Sequence, residues 1–160
     1  MKNRKSLRLK GYDYSKPGYY FVTIRSGNKN YPFCNIVDGE VILNEIGMII
    51  EKQWKWLFDR YDHVLIDEYV IMPDHFHAIL RIVSGNEGDG LDRPLRCQKR
   101  RPLSQLIGAF KTTSSKRIHL AGYKDFKWYR SFNDRILREH ELNIKREYIG
   151  LNPKRYNNDK

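Results

Sequence analysis

The sequence predicts an α+β domain: a ferredoxin-like antiparallel sheet with helices packed mainly on one face. Three observations carry that expectation. Strand-like and helix-like segments follow one another without regular βα alternation, which argues against a parallel sheet. Two short breaks, Asp38-Gly39 and Pro73-Asp74, separate apolar stretches at hairpin spacing. Two longer segments repeat apolar residues at helical spacing.

Taken in order, residues 18–26 (GYYFVTIRS) are rich in β-branched and aromatic side chains, alternate from Tyr20 onward and end at Ser26-Gly27-Asn28, which predicts a strand. Residues 33–37 and 40–43 flank Asp38-Gly39, a dipeptide that tolerates positive φ and so predicts a two-residue hairpin. Asn44 caps a predicted helix to about residue 60, with Ile46, Ile49, Ile50, Gln53, Trp54 and Leu57 on one stripe. Residues 63–72 and 75–83 form a second hairpin broken at Pro73, whose missing N–H cannot serve a ladder. Residues 84–102 read as a loop by their Gly and Pro content. Residues 103–119 read as a basic helix on the spacing of Leu106, Ile107, Phe110 and Ile118. A last helix is expected from about residue 138 to 151, stopped by Pro153.

The 160 residues suit one domain over residues 18–155, preceded by a flexible basic arm (1–17) and followed by a short tail (156–160). Thirty Lys and Arg against nineteen Asp and Glu give a net charge of +11, which draws a polyanion. Nine basic residues and no acidic one lie between Arg93 and Lys124. Arg100, Arg101 and Lys111 are the candidate phosphate contacts within that run. Two cysteines, Cys34 and Cys97, form neither a disulfide framework nor a metal motif, and no apolar run is long enough to span a membrane. A cytoplasmic protein is expected.

In YVIMPDHFHAIL, His75 and His77 stand two apart in a predicted strand, so both imidazoles leave one face while Phe76, Ala78, Leu80 and Ile82 leave the other. Neighbouring neutral imidazoles can share a cation. Taken with Tyr148-Ile149-Gly150-Leu151-Asn152-Pro153, this segment resembles the HUH single-tyrosine transposases, especially the REP-associated tyrosine transposases. In those proteins a strand ending in Met-Pro-Asn-His-hydrophobe-His precedes, by some seventy residues, a helix with Tyr-Ile-x-x-Asn-Pro. The resemblance covers roughly residues 18–155.

The resemblance implies that His75, His77 and Asn152 bind Mg²⁺ or Mn²⁺ and that Tyr148 is the nucleophile. It implies cleavage and rejoining of single-stranded or hairpin DNA through a 5′-phosphotyrosine. Tyr129 and Tyr156 are rival nucleophiles, and Glu147 and His140 rival third ligands. Asp74 stands where the family more often has Asn, and its carboxylate is either a partner that orients a histidine or a group that changes metal preference. A homodimer and a monomer both remain open. Competing functions are an RNA-recognition-like module stacking bases on Tyr20, Phe33 or Trp128, a metal nuclease with no covalent step, and a structural zinc domain; the last is disfavoured by the absence of a cysteine pair.

Overall fold

The computed structural model describes residues 9–84 and 100–156. The basic run 1–8, most of the loop with Cys97, and the tail 157–160 lie outside them.

Nine elements follow in order: β1 (Gly18–Arg25), β2 (Cys34–Val37), β3 (Glu40–Leu43), α1 (Glu45–Arg60), β4 (Val64–Ile71), β5 (His75–Ile82), α2 (Leu103–Leu120), β6 (Asn133–Leu137) and α3 (Glu139–Tyr156). The main sheet is antiparallel with order β4-β5-β1-β6. With α1 and α2 as its crossovers, this is the ferredoxin-like arrangement. The β2–β3 hairpin is inserted between β1 and α1, and its turn has Asp38 at φ 52° and Gly39 at φ 78°, as a type I′ turn requires.

Alternation along the two central strands separates the faces. Tyr20, Val22 and Ile24 of β1, with Phe76, Ala78, Leu80 and Ile82 of β5, point to one side and are fully buried under α1 and α2. Trp54 of α1 and Phe110 of α2 meet there, their ring centres 5.3 Å apart, and Phe76 lies 4.9 Å from Trp54. Each fully buried ring of this kind contributes ~1.5–3 kcal/mol by leaving water. At the start of α1, the Asn44 side chain accepts from the Gly47 N–H at 3.0 Å, as its capping position predicts.

The opposite face holds a smaller cluster of Val70, Met72, Ile79, Leu137, Leu142 and Ile149, closed by α3. Here the structure corrects the sequence reading. Pro153 does not stop the helix, which continues to Tyr156. Pro153 is buried, and Ile36 and Val41 of the inserted hairpin share a cluster with Tyr148 and Tyr156, so packing on this last turn offsets the lost N–H. β6, which no sequence signal suggested, forms the edge strand beside β1.

The basic segment before β1 is ordered by aromatic contacts from residue 9 onward. Tyr12 and Tyr14 pack against the main core, the Tyr14 carbonyl accepts from Leu103 N–H at 3.2 Å, and the Tyr20 hydroxyl donates to Lys16 O at 2.7 Å. Among the described residues no helix is long and apolar enough to cross a membrane.

Candidate active site

The face that carries α3 also carries both histidines. In the sheet register Thr23 of β1 and Val70 of β4 flank His77, and Arg25 lies opposite His75. The turn before β5 is tied down on two sides: Ser26 N–H donates to Asp74 O at 2.8 Å, and Phe33 N–H donates to Pro73 O at 2.9 Å. His75 is thus placed by a fixed backbone rather than by a free loop.

The two imidazole centres are 4.6 Å apart. Nδ1 of His77 lies 2.8 Å from the Thr23 hydroxyl, and Nδ1 of His75 lies 2.6 Å from Asp74 Oδ1. With both Nδ1 atoms engaged, each ring keeps Nε2 for a ligand bond, the arrangement by which a neighbouring oxygen fixes the tautomer of a metal-binding histidine. Burial pushes the His77 imidazole down to about 4, and the positive charges of His75, Lys145 and Arg25 add to the effect. His77 is therefore neutral near pH 7, the form that coordinates metal. Two imidazoles 4.6 Å apart with engaged Nδ1 atoms are a donor set suited to a divalent cation.

Tyr148 reaches the same place from α3. Its ring centre lies 5.7 Å from His77 and 6.3 Å from Phe21, which itself stacks on His77 at 5.4 Å. The Lys145 ammonium sits 5.1 Å from the Tyr148 ring centre and 4.8 Å from that of Phe21. Arg146 pins this helix to β4: its Nε and Nη2 donate to the two Asp67 carboxylate oxygens at 2.7 and 2.5 Å. Asp67 falls where the β4–β5 register shifts, between Ile66 and Tyr69.

The other residues singled out by sequence divide. Asn152 follows Tyr148 by one helical turn and is half-buried. Glu147 is exposed; among the described residues, no group of three or more His, Cys, Asp and Glu side chains is placed to hold a metal ion. His140 lines a separate cavity with Arg135 and Arg138. Leu137, three residues before His140, pairs with Tyr19, four positions along β1 from the Thr23 that pairs with His77. Tyr129 is 53% exposed and lines a cavity of about 570 Å³ with Thr23 and Asp74, the two residues bonded to the histidines. Tyr156 lies at the far end of α3, among the residues of its cluster.

Of the three candidate phosphate contacts, two are exposed and one is engaged by main-chain carbonyls. Lys111 is no free cation: its ammonium donates to the carbonyls of Tyr129, Arg130 and Ser131 at 2.9, 3.4 and 3.3 Å, and burial lowers its pKa. Arg100 and Arg101 are exposed, yet Arg101 N–H donates to His63 Nε2 at 3.1 Å, beyond the end of the sheet where Val64 pairs with Ile82. His75 is seven positions along β5 from Ile82, so this arginine pair lies ~20 Å from the histidines. The base-stacking alternative loses its surface, because Tyr20 and Phe33 are fully buried and Trp128 is 9% exposed.

This fold is that of a solved REP-associated tyrosine transposase bound to a REP hairpin, with a TM-score of 0.64 over 93% of this chain and 73% of that one at 17% identity. An uncharacterized protein of Haemophilus influenzae is 31% identical over 159 residues, covering 94% of this chain and 88% of the other, and the chain belongs to the same family as that protein. No family model matches the chain.

Proposed function

We propose that this protein is a metal-dependent single-strand DNA transesterase, a transposase of the HUH single-tyrosine type, acting on single-stranded or hairpin DNA in the cytoplasm. The observation that carries the reading is the convergence of His75 and His77 from β5 with Tyr148 from α3 on one sheet face, from positions some seventy residues apart. The fold shared with a transposase held on a DNA hairpin supports it.

His75 and His77 would hold Mg²⁺ or Mn²⁺ through Nε2, with the Asn152 amide oxygen as third ligand. The bound cation would polarise a phosphoryl oxygen and orient the scissile phosphate. Tyr148 Oη then attacks phosphorus, the bond from phosphorus to the 3′-oxygen breaks, and that oxygen leaves as a hydroxyl after taking a proton. The phenolic proton passes to water, and the Lys145 ammonium beside the ring favours the developing phenolate. A 5′-phosphotyrosine results, and attack by a 3′-hydroxyl reverses the step without ATP.

The test is a denaturing gel after incubation with labelled hairpin DNA and Mn²⁺. A protein-linked band should appear, vanish in EDTA, and be missing from Tyr148→Phe and from the His75→Ala, His77→Ala double variant. Cleavage without any adduct would favour a hydrolytic metal nuclease instead.

A further inference from the structure

Residues 126–131 form a rigid ledge beside the histidine pair, and the ledge is held from both sides. On one side Ser26 bridges to Trp128, Tyr129 N–H donates to Arg25 O at 2.8 Å, and Gly27 N–H donates to Lys127 O at 2.8 Å. Only glycine permits that approach, since a Cβ at position 27 would lie 2.8 Å from Trp128 O. On the other side, Trp128 Nε1 donates to Ser114 Oγ at 2.9 Å, and Lys111 clamps three successive carbonyls. Trp128 is thereby turned into the core, and its neighbour Tyr129 is turned out to solvent.

Tyr129 stands where two cavities meet. The first is the space of about 570 Å³ beside Thr23 and Asp74, whose cations are Arg25 and Lys29. The second, about 730 Å³, runs along α2 and is lined by Lys116, Lys124, Lys127 and Arg130, with no carboxylate among its described lining residues. An exposed, rigidly mounted ring between two cationic clefts matches what single-stranded nucleic acid needs. The ring offers a π-face to any base, and the cations follow the phosphates on either side.

We propose that Tyr129 is the base-stacking platform of a single-strand DNA track that leaves the histidine pair through the Arg25–Lys29 cavity and continues along the α2 groove over Lys124, Lys127 and Arg130. The proposal rests on the reading above that single-stranded DNA is the substrate. It gives Lys111 a positioning role in place of a phosphate contact, and gives Tyr129 a role other than attack.

Binding of a labelled oligothymidylate strand in EDTA, followed by fluorescence anisotropy over a range of salt, separates this proposal from the cleavage reaction. Tyr129→Ala should weaken binding about tenfold or more, as loss of one base stack predicts, and Tyr129→Phe should restore most of the affinity. Replacing Lys124 and Lys127 together by Glu should reduce the steepness of the log–log salt dependence by about 1.4 if each removes one phosphate contact. Wild-type affinity in Tyr129→Ala, or an unchanged salt slope in the double variant, would overturn the track while leaving the Tyr148 adduct test intact. Tighter binding of the matching RNA would overturn the assignment to DNA. Loss of the covalent adduct in Tyr129→Phe with affinity retained would make its hydroxyl the nucleophile and overturn the stacking role. A wild-type protein that ignores oligothymidylate would overturn the track and the single-strand reading together.

Discussion

The Thr23 hydroxyl and His77 Nδ1 are 2.8 Å apart across the two central strands, so the imidazole is oriented by a neighbour that belongs to the most deeply paired part of the sheet. Thr23→Val keeps the branched shape and removes the oxygen, leaving Nδ1 without its partner in a buried place. Mn²⁺ affinity measured by calorimetry should fall by ~10–100-fold, and Thr23→Ser should recover most of it. Unchanged affinity in Thr23→Val would show that the hydroxyl does not orient the ring.

Acid should destabilise the protein through His77. Its folded-state pKa is about 4 against 6.5 for the free side chain, so between these values the unfolded chain binds the extra proton. The stabilisation is complete above pH ~6.5 and disappears as the pH falls towards ~4. Thermal unfolding between pH 7 and 4 should show a drop in Tm that is smaller in His77→Gln. Equal slopes in the two proteins would assign acid sensitivity elsewhere.

The fork between Arg146 and Asp67 holds the tyrosine helix against β4. The Asp67 side chain is 13% exposed and that of Arg146 is 38% exposed, so solvent screens the pair and Arg146→Ala should cost only about 1 kcal/mol of stability. Adduct formation should suffer more than that, because Tyr148 lies two residues further along the same helix and loses its placement. Single-turnover rates in Arg146→Ala and Asp67→Asn should fall together, with non-additive effects in the double variant.

Two glycines should respond oppositely to alanine. At Gly47 a Cβ would lie 2.1 Å from Phe33 O, a backbone atom that cannot step aside, so Gly47→Ala should displace the start of α1 and lower Tm markedly. At Gly150 nothing lies within 4 Å of an added Cβ, so Gly150→Ala should stabilise α3 by up to ~1 kcal/mol through helix propensity. Urea unfolding of both variants checks the contrast.

Three of the main sheet's four strands, and both hairpins, were legible because they are written in local patterns. Tyr20, Val22 and Ile24 alternate cleanly, Asp38-Gly39 announces its turn, and Asn44 caps α1 as expected. The placement of His75 and His77 on one face followed from the same period of two. Non-local features were not legible. β6 (NDRIL) is a polar edge strand whose pairing with β1 leaves no apolar signature. Pro153 reads as a stop until the packing of its face is known. Trp128 reads as an exposed aromatic until Ser114, fourteen residues earlier, is seen to accept its N–H. Lys111 reads as surface charge for the same reason: its acceptors are main-chain carbonyls, which no side-chain pattern reveals.

The division of the interior into two unequal clusters has a consequence for motion. The larger one joins α1, α2 and the sheet, whereas α3 lays its own Leu142 and Ile149 on four buried residues of the other side, with a fringe of tyrosines. Detaching α3 would expose only the smaller cluster, so its opening free energy lies below that of global unfolding, as for any sub-global unit with few buried contacts. In amide hydrogen exchange, α3 should lose protection before β1, β5 or α1. Under the proposed chemistry, the segment bearing Tyr148 would swing with the strand attached to its hydroxyl while the histidine-bearing strands stay paired, one half of the site serving as anvil and the other as a detachable arm.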